Sequence, residues 1–160
     1  MGFADFFCSE AVEAAADQRL VGRRTGRKDL KAWQSRLRRV MHGLTRPRLL
    51  QMPIADFATE EDRRYQMRKY MAKGFDYKES LASTNDLVPR VDSLLRDFPG
   101  LLRGERTLNP GGWSWDDLYV LPSLRVLTCV KPITWPASVR AYVEDSHGAA
   151  GVKCYFEHAC

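Results

Sequence analysis

Residues 111–136 read GGWSWDDLYVLPSLRVLTCVKPITWP. They describe a helix with a strongly specified start and a proline inside it. Ser114 and Asp117 have the spacing of a capping box, in which each residue's side chain accepts from the other's backbone N–H. Asp116 and Asp117 sit where the helix dipole favours negative charge. Trp113 before the cap and Leu118 after it are placed for a hydrophobic staple. Beyond them Leu118, Tyr119, Val120, Leu121, Leu124, Val126 and Leu127 leave little polar surface, the pattern of a buried helix. Pro122 removes the bond to the carbonyl of residue 118 and, in an exposed setting, costs about 3 kcal/mol. Such a helix requires neighbours that hold it.

Those neighbours are legible on either side. Leu30, Trp33, Leu37, Val40, Met41 and Leu44 recur at helical spacing and share one face. Lys28, Lys31, Arg39, His42 and Arg46 fall on the other, and Pro47 bends or ends the helix. In ATEEDRRYQMRKYMAKG (residues 58–74), Thr59 and Asp62 resemble a second capping box. Tyr65, Met67, Tyr70 and Met71 supply apolar surface there, and Gly74 is a stop. Residues 77–98 predict a further helix, with Pro89 near a new first turn and Asn85 or Asp86 as caps. A short helix enters at Pro136. The residues after Gly148 carry weaker signals. Strand-like alternation is scarce, so the expected fold class is all-α, a helical bundle with residues 114–129 at its centre.

The chain has 160 residues, 44% of them hydrophobic, enough for one domain with a substantial core. No run is long and apolar enough to span a membrane, and the acidic start lacks the basic n-region of a signal peptide. These features predict a cytoplasmic protein with no membrane partner. The cysteines at 8, 129, 154 and 160 are expected as free thiols, and none forms a C-x-x-C pair.

The net charge of +5 is local. Residues 1–18 contain Asp5, Glu10, Glu13 and Asp17 and no Lys or Arg. Residues 19–50 hold most of the excess positive charge, in a basic patch that includes Arg23, Arg24, Lys28, Lys31, Arg36 and Arg39. This patch admits nucleic-acid binding as an alternative function. A solvated helix face is the simpler reading, because no aromatics are interleaved for base stacking. His147, Cys154, His158 and Cys160 are zinc-ligand types at a spacing that matches no familiar site, so no metal is expected. Asp116 and Asp117 are explained by capping. No residue is assigned a catalytic role.

The run S-x-D-D, then LPSLRVLT, then ITWP resembles the C-terminal helical domain of the two-domain glutaredoxins of the glutaredoxin 2 type. That domain is related to the C-terminal domain of glutathione S-transferases. The likeness extends through KAWQSRLRRVMHGLTRPRLLQMPIADF and RRYQMRKYMAKGFDYKESLAST, roughly residues 27–145. It implies a division into residues 1–26, a glutaredoxin 2 C-terminal-like domain over 27–147, and a tail over 148–160. In that family a thioredoxin-like domain with a C-P-Y-C site precedes the helices. Cys8, followed by Ser9 and Glu10, does not match that motif, so no residue here inherits the family's thiol chemistry. The resemblance therefore implies a non-catalytic interaction or accessory module. Its expected partner is a thioredoxin-like domain, another protein or a second copy. A glutathione-binding or transferase-like protein completed by dimerisation is a further alternative, with glutathione as the one cofactor it would use.

Overall fold

The computed structural model describes Gly22 and residues 25–160. Helix α1 spans Lys28–Leu49. It is about 33 Å long at 1.5 Å per residue. Helix α2 (Glu60–Met71) follows a single 3₁₀ turn at Ala55–Phe57. Helices α3 (Tyr77–Ala82) and α4 (Thr84–Asp97) come next, and a 3₁₀ turn at Phe98–Leu101 continues from α4. Helix α5 spans Trp115–Leu127 and α6 spans Ala137–Ala149. Among the described residues the β pairing is an isolated bridge between Asn109 and Gly112. The molecule is all-α.

Helix α1 is the axis of packing, against α3, α4 and α5. Its predicted apolar face is buried in full: Leu30, Trp33, Leu37, Val40, Met41 and Leu44 all lie in the core. From α5 come Val120, Leu121, Leu124 and Leu127, and from α6 Val139, Tyr142 and Val143. Four aromatic rings run through this core. Trp33 lies 4.8 Å from Phe98, Phe98 5.4 Å from Tyr142, and Tyr142 6.1 Å from Trp113, between ring centroids. The Trp33 indole donates to the Leu94 carbonyl at 2.8 Å, so its polar edge is satisfied where its ring is buried.

Thr59 and Asp62 form the capping box of α2, and Gly74, at φ +80°, turns the chain after it. One reading needs correction. The segment 77–98 is two helices that meet at Ser83, with Asp76 capping α3 through the Lys78 and Glu79 N–H groups. Ser83 is the N-cap position of α4, so Asn85 and Asp86 lie inside the helix and cap nothing. Tyr65, Met67 and Met71 are exposed, and the buried residue of α2 is Gln66. Helix α2 therefore contributes no residue to the apolar core.

The residues after Gly148 are more ordered than their sequence suggests. Tyr155 is buried in the core, and its N–H donates to Thr128 Oγ1 at 2.8 Å. The Cys160 N–H reaches the Cys129 carbonyl at 3.1 Å, and the Lys131 N–H returns to the Cys160 carbonyl at 3.1 Å. Arg48, buried, donates to that same Cys160 carbonyl, to the Leu44 carbonyl and to Thr84 Oγ1. One guanidinium thus ties the end of α1 to the start of α4 and to the terminal segment.

Because Leu124 is fully buried between α1 and α6 partners, Leu124→Ala is expected to lose about 3 kcal/mol in urea unfolding. Met71→Ala, at an exposed position, should change stability by about 0.5 kcal/mol or less.

Candidate functional site

The best-defined polar site lies at the N-terminus of α5. Ser114 is extended at φ −142°, ψ 170°, and forms the capping box with Asp117. Asp117 Oδ2 accepts from the Ser114 N–H at 2.9 Å and from the Ser114 hydroxyl at 2.7 Å. Its Oδ1 accepts from the Leu108 N–H at 2.9 Å and from the Tyr142 hydroxyl at 3.0 Å. The carboxylate is thereby saturated, at 1% exposure of its residue. Burial, with the Asp117 charge beside it, holds the Tyr142 phenol well above its ordinary pKa. That phenol donates a proton to the bond and does not release it.

Asp116 is built in as firmly. It accepts from the Thr25 N–H at 3.3 Å, from the Thr25 hydroxyl at 2.5 Å and from Asn109 Nδ2 at 2.9 Å. Burial would raise its pKa, but the bonds from Thr25 and Asn109 outweigh that and hold the group below its usual range. Asn109 Nδ2 also donates to Ser114 Oγ at 2.9 Å. Gly22 lies against this cap: its carbonyl faces the Trp115 N–H at 3.5 Å, and a Cβ on it would come within 3.2 Å of Ser114 Cβ. Both acids hold backbone and side-chain donors in fixed positions. They do not present a pair of carboxylates to a cleft.

Sequence reasoning found Ser114 and Asp117 and missed Thr25, Asn109 and Tyr142. Tyr142 is 25 positions away from Asp117, on another helix, and no local spacing announces it. Trp113 stacks on Tyr142, and Leu118 is half-buried on the outer side of α5.

The fold divides the basic segment. Arg23 and Arg24 lie outside the described residues. Arg27 is buried, donating to the Leu108 and Leu101 carbonyls at 2.5 and 2.9 Å and pairing with Asp29 at 2.6 Å. The Arg27 bond is the main cause that brings Asp29 down to about 2. Arg46 is half-buried with its guanidinium over the rings of Tyr70 and Phe75, 4.3 and 4.9 Å from their centroids. Lys28, Lys31, Arg36, Arg38 and Arg39 remain exposed along α1. Arg36 leans toward Asp97 on α4 at 3.8 Å, and Arg38 lies over the Tyr119 ring on α5 at 5.7 Å. Burial, helped by Arg46 and Arg38, lowers the pKa of His42 on the same helix.

The thiols differ sharply in setting. Cys8 lies outside the described residues. Burial pushes the Cys129 thiol up to about 12, and burial also raises Cys154. Cys160 is exposed. His147 is buried on α6 with Nδ1 2.8 Å from the Val143 carbonyl, and it does not meet Cys154, His158 and Cys160. Among the described residues no three His, Cys, Asp or Glu side chains are grouped to hold a metal ion. Two open depressions mark the surface. One, of about 480 Å³, is lined by Met67, Met71, Phe75 and Tyr77. The other, of about 550 Å³, lies beside Trp113 and the Arg106–Asp145 ion pair.

A helical bundle packed on a long first helix, with a capped and buried central helix, defines a domain of the glutathione S-transferase C-terminal kind. Residues 29–159 match the family described as glutaredoxin 2, C terminal domain, and the chain belongs to that family. It is similar to Glutaredoxin 2 of Escherichia coli strain K12, 28% identical over 116 residues, which is 72% of this chain and 54% of that protein. The match to Glutaredoxin 2 of Escherichia coli O157:H7 has the same identity and coverage. The chain thus spans about half the length of these curated relatives. In structure it is similar to glutaredoxin 2 from Salmonella typhimurium in complex with glutathione, with a TM-score of 0.80 and 26% identity over 88% of this chain and 63% of that one. No helix among the described residues is long and apolar enough to cross a membrane.

Two outcomes follow from the geometry. Asp117→Ala leaves the Leu108 N–H and the Tyr142 hydroxyl buried without an acceptor, and it should cost about 3 kcal/mol. Ser114→Ala, which removes one of the four donors to Asp117 and an acceptor for Asn109 but leaves no buried charge without partners, should cost less, about 1 kcal/mol, in the same thermal or urea melts. Alkylation with iodoacetamide at pH 8 should modify Cys160 in the folded protein and leave Cys129 unmodified until denaturant is added, as read by peptide mass spectrometry.

Proposed function

We propose that this chain acts as a non-catalytic, accessory helical module in glutathione-linked redox biology, working with a thioredoxin-like partner that supplies the reactive thiol. The observation that carries the reading is the family match over residues 29–159 joined to the state of the thiols there. Cys129 and Cys154 are both pushed toward the protonated form by burial, and no C-x-x-C occurs in the sequence. A thiol that stays protonated is a poor nucleophile. The relative from Salmonella typhimurium was solved in complex with glutathione, which supports a glutathione-linked role for this chain as well. In this reading residues 27–147 form the working helical unit, flanked by 1–26 and 148–160. Its setting is the reducing cytoplasm, and Ser114, Asp117, Trp113 and Leu118 maintain the fold.

The nucleic-acid alternative draws less support. Among the described residues Arg27, Arg46 and Arg48 are engaged within the fold, and the exposed cations of the segment lie along α1.

The test is a glutathione mixed-disulfide reduction assay on the purified chain, with and without the remaining part of Escherichia coli Glutaredoxin 2 expressed separately. The chain alone is expected to show no turnover above the background from free glutathione, and to bind the added domain in calorimetry. Turnover by the chain alone at a rate typical of glutaredoxins would overturn the reading.

A further inference from the structure

Among the described residues five large hydrophobic side chains are exposed, and four of them lie on α2 and α3: Tyr65 at 61%, Met67 at 37%, Met71 at 58% and Leu81 at 44%. Helix α2 turns Gln66 inward, with Arg63 and Tyr70 half-buried beside it. The opposite face carries two adjoining stripes, each at spacings of four, three and four. One is Glu60, Arg64, Met67 and Met71. The other is Glu61, Tyr65, Arg68 and Ala72, and every member of both is exposed. A solvent-facing helix face is ordinarily polar, so large apolar side chains gathered on one mark a contact surface. Charge is ordered along this face. The first turn holds Glu60, Glu61 and Asp62, and the last turn holds Arg68 and Lys69. Asp62 is held by the Thr59 cap, and Glu60 by Arg64. Among the described residues Glu61, Arg68 and Lys69 make no ion pair.

We propose that a second copy of this chain occupies this face, its α2 lying antiparallel to the first. The order of the charges selects this occupant. A uniformly anionic surface would attract Arg68 and Lys69 but repel Glu60 and Glu61, and a uniformly cationic one would do the reverse. The face calls for the same charges in the opposite order around an apolar centre. Helix α2 is itself that surface once its direction is reversed. A two-fold axis passing between residues 64 and 65 makes the match. Glu61 and Arg68 lie about 5 Å to either side of that point along the helix, so each Glu61 meets Arg68 of the other copy. Tyr65 lies within about 1 Å of the same level, so the two Tyr65 rings meet beside the axis. The contact is isologous and closes at two copies. Helix α2 spans only about 18 Å, so the interface is small and the dimer weak, with a Kd of about 100 μM. The inference does not rest on the function proposed above.

Sedimentation velocity on the full chain across a concentration series tests it. The unaltered chain should pass from monomer to dimer near about 100 μM. Glu61→Arg alone and Arg68→Glu alone should each weaken association by about tenfold or more, because each sets like charges together at both contacts. An equal mixture of these two variants should regain the dimer, since both contacts of the mixed pair then join opposite charges. The double variant, carrying both changes in one chain, should regain it for the same reason. Tyr65→Ala should weaken association, while Trp115→Ala, at the exposed apolar position on α5, should not. Thermal melts followed by circular dichroism report that each variant remains folded. A monomer at every concentration up to about 1 mM overturns the proposal. A dimer indifferent to the single reversals also does so, as does a mixture no more associated than its two components.

Discussion

The carboxylate of Asp117 accepts four hydrogen bonds at less than one-fiftieth exposure of its residue, and the architecture converges on it. Ser114 sets the start of α5, Leu108 belongs to the loop from α4, and Tyr142 projects from α6. A buried charge is tolerable only when its lone pairs are filled. Here the fillers come from three different parts of the chain, so the charge is satisfied only when those parts are docked. Tyr142 continues the aromatic run from Trp33 through Phe98 to Trp113, so the polar anchor and the apolar core share a side chain. Asp116 extends the arrangement outward to Thr25 and brings the chain entering α1 against the cap of α5.

Two buried arginines do comparable work at the two ends of α1. Arg27 gathers the Leu101 and Leu108 carbonyls at its start. Arg48 gathers Leu44, Thr84 and Cys160 at its end. Main-chain carbonyls left over where helices stop need donors, and a guanidinium supplies several in fixed geometry. Neither arginine can contribute to a basic surface. The described part of the segment that reads as one cationic patch is an exposed row along α1 between two structural clamps.

This distribution bears on function. The acids that look most like a catalytic pair are saturated, and Cys129 and Cys154 are pushed toward the neutral thiol. The chain carries this arrangement as a member of the glutaredoxin 2 C-terminal domain family.

The sequence by itself determined the class of fold and its central helix, because those depend on near neighbours. Ser114 and Asp117 are three residues apart, and the core face of α1 is a matter of spacing by three and four. It also placed the capping box of α2, for the same reason. It misjudged the break at Ser83 and the order of the residues around Tyr155, and it left open which way Met67 and Met71 face. Each of these is decided by what packs alongside, not by the local pattern. Only tertiary structure brought Tyr142 and Leu108 to Asp117, Thr25 and Asn109 to Asp116, and Arg48 to the Cys160 carbonyl. Those contacts join residues dozens of positions apart, and a hydrogen bond across such a separation leaves no periodic trace in the chain.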